Sequence, residues 1–196
     1  MNPMLNLTGP NSWGGECKRK EQSPIDLPRE GGTKKEYDPF IFINYDRTPE
    51  RCGISNNGHT VKVEFENKQK KEHEPQVRGG GLPADYGFAQ FHMHWGVNDN
   101  IGSEHTISQT SYPMELHLVH YNKKYGKDIG TAIAKGLKLR TRDSLAVLGI
   151  MFQLQTKANK NLDPMIEGKF YYAFKKVGYK FNGVIFIVNC SFGGNC

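Results

Sequence analysis

Short segments in which apolar and polar residues alternate, separated by turn formers, are the clearest feature of this chain. Residues 59–65 place apolar side chains or histidine at every second position, which predicts a half-buried strand. The same reasoning predicts strands over residues 88–95 and 114–121. The long apolar run over residues 145–154 predicts a buried strand, and residues 129–135 predict one short helix.

These elements predict a single β-rich domain of the α+β class. The chain has 196 residues, which is enough for one domain with a sizeable core. It contains no apolar run of about 18 residues, so we expect no membrane span. The net charge of +6 comes without a nucleic-acid-binding motif, so we expect no nucleic-acid partner.

Strand alternation brings candidate metal ligands onto one face. Gln90, His92 and His94 share one face of the strand over residues 88–95. A rise of about 3.3 Å per residue separates the two histidines by about 6.6 Å along the strand, so their rings can converge on one ion. Glu115 and His117 share a face of the next strand. If that strand pairs beside the first, His117 completes a set of three imidazoles.

Three imidazole ligands are typical of a catalytic zinc site, because they leave a fourth position open. Such a site lowers the pKa of a bound water to about 7. Gln90 and Glu115 each lie two residues before a histidine on the same face, so they are placed to accept its second ring N–H. The alternative is that these are structural histidines in a β core. This alternative suits one histidine alone better than the trio with its amide and carboxylate.

At these residues the chain resembles the α-class carbonic anhydrases. The matching segments follow the family order between about residue 9 and residue 168. They are residues 22–27, 56–59, 91–96, 102–106, 115–120 and 145–150. The resemblance implies one large, mostly antiparallel twisted sheet. It also implies zinc on His92, His94 and His117, and the reversible hydration of carbon dioxide to bicarbonate and a proton.

The resemblance also implies roles for residues around the metal. His59 matches the family's proton shuttle, and imidazole suits this task because it exchanges protons near neutral pH. Asn57 matches a residue that orders the water chain, and Glu104 matches a carboxylate that accepts a hydrogen bond from a threonine. Val119 and Val147 match the walls of the apolar pocket that holds carbon dioxide.

After Gly168 the chain departs from the family pattern. We therefore divide it into an incomplete carbonic-anhydrase-like domain over residues 1–168 and a divergent tail over residues 169–196. The family segment with the threonine is not found in the tail, so we expect either a truncated isoform or the product of an incorrect gene model. In both cases we expect a sheet that lacks its C-terminal strands and a lowered turnover. Exposed sheet edges are expected to promote self-association. The alternative is a non-catalytic, carbonic-anhydrase-like protein that binds a partner or a biomineral matrix.

The cellular compartment is left open by two opposing features. Residues 1–5 lack the basic and apolar regions of a signal peptide, so we expect a cytoplasmic protein if this start is genuine. Cys17 matches a cysteine of the extracellular family members, so the resemblance also implies a secretory ancestry.

Overall fold

This computed structural model describes residues 22–33, 35–49, 51–65, 71–160 and 179–188. Within these ranges the chain is mostly β-structure with one α-helix, which confirms the predicted β-rich fold. The strands are β1 (Asp26–Leu27), β2 (Phe40–Ile43), β3 (Cys52–Asn56), β4 (Val61–Phe65), β5 (Gln76–Gly79), β6 (Tyr86–Trp95), β7 (Thr106–Ile107), β8 (Met114–Asn122), β9 (Leu145–Leu154) and β10 (Tyr179–Val188). The helix, α1, spans Ile129–Leu139, and a short 3-10 turn spans Lys71–His73.

One large antiparallel sheet dominates the part of the chain that the structure describes. Its main order is β10-β9-β8-β6-β4-β3, and β5 pairs with both β6 and β2. Strands β4 and β5 thus pair with different parts of β6. The short strands β1 and β7 form a separate parallel pair. Strands β6 and β8 are direct neighbours, which is the pairing that the histidine prediction required.

The strand bounds differ from the sequence prediction mainly at the start of β4. This strand begins at Val61, two residues later than alternation predicts. The side-chain oxygen of Asn57 accepts hydrogen bonds from the backbone N–H groups of His59 and Thr60, at 3.0 and 2.9 Å. These bonds commit His59 and Thr60 to the turn after β3, because an asparagine side chain can replace a backbone acceptor there. Strand β9 has its predicted bounds.

Helix α1 is four residues longer than the predicted helix, which ended at residue 135. It begins after Asp128, whose carboxylate accepts the backbone N–H of Thr131 at 2.8 Å. It ends at Arg140, which adopts a left-handed backbone conformation. The helix packs through Ala132 against Tyr121 of β8 and thus covers part of one sheet face.

The opposite face of the sheet carries an apolar cluster. Its buried members are Met93, Met114, Ile150 and Phe152. Burial of a side chain of this size stabilises a fold by about 1.5–3 kcal/mol relative to leaving it exposed. Strands β6, β8 and β9 all contribute to this cluster, so it holds together the strands that carry the histidines.

The segment that the sequence analysis predicts to be a divergent tail contributes a strand to the sheet. Strand β10 pairs antiparallel with β9, and Val188 lies opposite Val147. The edge of β9 is therefore not open along these paired residues, although the sequence leads us to expect exposed edges. Self-association stays a prediction. No helix among the described residues is long and apolar enough to cross a membrane.

Candidate metal centre

Three histidine rings meet on one face of strands β6 and β8. His92 lies directly opposite His117 in the strand register, and His94 lies opposite Glu115. The ring centroids are 5.0 Å apart for His92 and His94, 5.2 Å for His92 and His117, and 4.7 Å for His94 and His117. One nitrogen from each ring lies within 4.8 Å of the other two. The structure therefore brings the predicted trio together.

Hydrogen bonds to Gln90 and Glu115 determine which ring nitrogen of His92 and of His117 is available to bind a metal. Nδ1 of His92 lies 2.9 Å from Oε1 of Gln90, and Nε2 of His117 lies 2.6 Å from Oε1 of Glu115. An amide oxygen and a carboxylate oxygen only accept, so each of these ring nitrogens carries the hydrogen. The remaining nitrogens, Nε2 of His92 and Nδ1 of His117, keep a lone pair for a metal.

His94 offers the third nitrogen. Its Nε2 is buried and has no hydrogen-bond partner within the described ranges. A buried polar atom without a partner is costly, and a metal ligand is one common explanation. The three lone pairs fit a zinc ion, which binds imidazole nitrogens at about 2.0–2.1 Å.

Burial keeps the site histidines in the form that a metal requires. Removal from water, together with the smaller effect of the neighbouring His117, lowers the pKa of His92 to about 4 and that of His94 to about 3. Both rings are therefore neutral near pH 7, so a metal has no proton to displace from them.

Glu115 is the centre of a buried hydrogen-bond network behind His117. Besides His117, it accepts from Nδ1 of His105 at 2.7 Å and from the backbone N–H groups of Glu104 and His105 at 2.9 and 2.8 Å. Burial by itself raises the pKa of Glu115, but the hydrogen bonds from His105 and His117 outweigh it and hold the pKa below its usual range. Nε2 of His105 in turn lies 3.1 Å from Oγ of Ser23.

Glu104 lies beside the histidines in the segment between β6 and β7. Its Oε1 is 3.3 Å from Nδ1 of His94, and its Oε2 is 3.8 Å from Nδ1 of His117. The side chain is 39% exposed, so it forms part of the open side of the site. Burial raises the pKa of Glu104, and the nearby His117 acts in the opposite direction. Its predicted role as acceptor for a threonine stays a prediction.

Residues 8–182 match the family model described as eukaryotic-type carbonic anhydrase. The chain belongs to this family. It is 30% identical over 166 residues to carbonic anhydrase 4 of Rattus norvegicus. That alignment covers 84% of this chain and 49% of the rat protein. The chain is 39% identical over 144 residues to putative carbonic anhydrase 5 of Caenorhabditis elegans, which covers 72% of this chain and 43% of that protein.

The family match extends beyond residue 168, where the sequence predicts that the divergent tail begins. The boundary between the two predicted segments stays a prediction. The chain spans about half the length of the curated relatives it matches. Cys17, on which the expected secretory ancestry depends, lies outside the described residues.

Steric crowding explains why the first residue of the carbonic anhydrase motif over residues 102–106 is a glycine. A Cβ on Gly102 would lie 2.0 Å from the backbone oxygen of Pro113, which is far inside van der Waals contact. Only glycine permits this close approach of two backbone segments. The approach holds the segment that carries Glu104 against the start of β8.

Val119 and Val147 are the residues that the carbonic anhydrase resemblance assigns to a pocket wall, and that role stays a prediction. They are direct cross-strand partners on β8 and β9, and each is 6% exposed. Val119 follows His117 by two residues, so alternation places both on the same face of β8. The structure thus puts an apolar surface beside the third histidine.

The two residues of the expected proton path lie in the turn between β3 and β4. His59 is exposed, and the side-chain oxygen of Asn57 is engaged by backbone N–H groups of this turn. Their roles as shuttle and as water-ordering residue stay predictions.

Sequence reasoning missed Lys62, which pairs opposite His92 across β4 and β6. Its Nζ lies 2.9 Å from Oε2 of Glu64, so the lysine forms an ion pair with this glutamate. Alternation along β4 separates Lys62 from the buried Val61 and Val63. It did not reveal which strand would lie beside β4, and therefore did not place the lysine next to the site.

Proposed function

We propose that this chain catalyses the reversible hydration of carbon dioxide to bicarbonate and a proton, with zinc held by Nε2 of His92, Nε2 of His94 and Nδ1 of His117. The observation that carries this proposal is the convergence of three imidazole nitrogens. Two of them are left with a lone pair by the hydrogen bonds to Gln90 and Glu115, and the third is buried without a hydrogen-bond partner in the part of the chain that the structure describes. Membership of the carbonic anhydrase family supports the same reaction.

A zinc ion on three neutral imidazoles supplies a bound water with a pKa of about 7, which is a nucleophile at physiological pH. The protein's own part is to hold the ligands in the correct tautomers and to bind carbon dioxide beside them. Gln90 and Glu115 hold the rings of His92 and His117. The adjoining surface of Val119 and Val147 offers an apolar substrate a dry contact.

The released proton has to reach solvent after each turnover. His59 is the exposed imidazole in the turn that precedes β4, and β4 pairs with the strand of His92 and His94. Its side chain is able to accept a proton from water near the site and pass it to buffer.

Zinc content and carbon dioxide hydration on the same protein preparation test the proposal. We expect one zinc per folded chain, measured by elemental analysis, and hydration in a stopped-flow pH-indicator assay. His94→Ala should lower zinc affinity by more than the roughly 10- to 100-fold that loss of an outer partner costs. His73→Ala is the matched control, because His73 is 43% exposed and its described ion-pair partner is Glu72, outside the metal site.

The possible outcomes separate the enzyme from its alternative. Folded wild-type protein that takes up no zinc would exclude the metalloenzyme. Stoichiometric zinc without hydration would favour a non-catalytic binding protein. Equal hydration by the wild type and His94→Ala would show that the activity does not come from this site.

A further inference from the structure

The outer nitrogen of each candidate ligand faces an oxygen of this chain. Gln90 serves His92 and Glu115 serves His117 through hydrogen bonds of 2.9 and 2.6 Å. For His94, the oxygen is Oε1 of Glu104, 3.3 Å from Nδ1. This contact is an ion-pair distance, slightly longer than the roughly 2.7–3.2 Å of an ordinary N–H···O hydrogen bond. It involves the ring nitrogen other than Nε2, which is buried and has no hydrogen-bond partner among the described residues.

We propose that Glu104 is the positioning residue for His94: its carboxylate accepts the Nδ1 hydrogen, fixes the tautomer, and so presents Nε2 to the metal. This role differs from the one that the family resemblance implies, in which the carboxylate accepts from a threonine. The inference rests on the proposed zinc site, since a tautomer matters here only if a metal uses the other nitrogen.

The backbone around Glu104 is held in a way that suits this role. The N–H groups of Glu104 and His105 both donate to Oε2 of Glu115, at 2.9 and 2.8 Å. The residue that orients His117 therefore also fixes the segment that carries the partner of His94. The glycine at 102 lets this segment approach Pro113 closely, which further restricts where the carboxylate can reach.

In this proposal Glu104 orients a metal ligand and is not itself a ligand. The described groups whose ligand atoms all lie within 4.8 Å of one another are the three site histidines and the set of His105, Glu115 and His117. Glu104 belongs to neither group. Oε1 of Glu104 lies 3.3 Å from Nδ1 of His94, the ring nitrogen other than Nε2, whereas Oε2 lies farther from a ligand nitrogen, at 3.8 Å from Nδ1 of His117.

Two substitutions separate the hydrogen bond from the charge. Glu104→Ala removes the acceptor, whereas Glu104→Gln keeps a neutral acceptor of the kind that Gln90 already supplies to His92. We expect zinc affinity, measured by competition with a chelator, to fall by about 10- to 100-fold in Glu104→Ala. Glu104→Gln should recover most of that loss. Glu30→Gln, at an exposed position before β2, is the matched control.

A spectroscopic signal reports on the hydrogen bond directly. In the zinc-loaded protein, the imidazole N–H proton of His94 should give its own resonance, assigned from its nuclear Overhauser contacts to neighbouring protons. We expect Glu104→Ala to move this resonance upfield and to leave those of His92 and His117 in place. A purely structural role for Glu104 would not single out one ring.

The results distinguish the inference from the proposed function. If the wild type binds no zinc, the zinc site itself is wrong. If the wild type binds zinc, unchanged affinity and an unchanged His94 resonance in Glu104→Ala would overturn only the inference and would favour the threonine role. Equal loss in the alanine and glutamine variants, with the resonance unmoved, would show that only the negative charge matters, which also overturns it.

Discussion

Replacing Glu115 by alanine is expected mainly to destabilise the fold, whereas replacing it by glutamine is expected mainly to weaken zinc binding. The side chain is fully buried and accepts four hydrogen bonds, two on each oxygen. Oε2 receives the two backbone N–H groups, and Oε1 receives the rings of His105 and His117. Backbone donors cannot change their character, whereas each imidazole can move its hydrogen to the other nitrogen. The two oxygens are therefore not equivalent.

In Glu115→Ala, all four donors lose their acceptor. A buried donor without a partner costs about 1–3 kcal/mol, so four cost about 4–12 kcal/mol. This is comparable with the whole stability of a typical domain, about 5–15 kcal/mol. We expect this variant to be unfolded or barely stable, even if water enters the space and recovers part of the loss.

In Glu115→Gln, the amide can keep its oxygen on the backbone donors and turn its NH₂ group toward the two rings. The rings then have to accept, so His117 would carry its hydrogen on Nδ1, the nitrogen that the proposed zinc site uses. We expect the zinc-free protein to lose only about 1–2 kcal/mol, since the hydrogen bonds become neutral. Zinc affinity should fall by about 10- to 100-fold, because binding must force an unfavourable tautomer.

Urea unfolding of the zinc-free proteins and chelator competition on the folded ones measure the two effects separately. Glu30→Ala and Glu30→Gln are the matched controls at an exposed position, and both should behave like the wild type. The reasoning fails if Glu115→Ala unfolds within about 1 kcal/mol of the wild type, which lies below the cost of losing even two donors. It also fails if Glu115→Gln keeps full zinc affinity.

Two further predictions concern other histidines. His59→Ala should slow turnover by about 100-fold in dilute buffer, and added imidazole should restore part of it; an equal loss at every buffer concentration would contradict the shuttle role. Burial lowers the pKa of His120 to about 4. The pKa of histidine in the unfolded state is about 6.5, so between about pH 6.5 and about 4 the unfolded state binds a proton on His120 that the folded state does not bind. His120 alone therefore lowers the stability of the fold by on the order of 3 kcal/mol as the pH falls from about 7 to 4. Urea unfolding across this range should show a shallower loss for His120→Asn, and an unchanged slope would refute the assignment.

The candidate ligand set could be predicted from the sequence because strand alternation is a strict geometric rule. Residues two apart share a face, so His92 and His94 had to point the same way once β6 formed. The pairing of β6 with β8 was the remaining assumption, and the register that puts His92 opposite His117 supports it. Long, strongly patterned strands such as β9 were likewise predicted with their bounds.

Local hydrogen bonds from a side chain explain why alternation predicted the wrong start for β4. Alternation continues through His59, but Asn57 binds the backbone of the next residues and holds them in a turn. The position of His59 relative to the site therefore depends on the turn and not on a strand face. Helix α1 continues past residue 135 because Gly136, which can end a helix, is a buried residue inside it, and the left-handed residue that ends the helix is Arg140.

The same spacing in sequence does not determine which nitrogen of a histidine ring the preceding polar side chain contacts. Gln90 and Glu115 each precede a histidine by two residues, yet Gln90 contacts Nδ1 of His92 and Glu115 contacts Nε2 of His117. The offset determines only that both side chains share a face. Which nitrogen meets the oxygen depends on where that oxygen is held, and Glu115 is held by backbone donors from a separate segment. The ligand nitrogens are therefore a property of the tertiary structure, even though the ligand residues can be identified from the sequence.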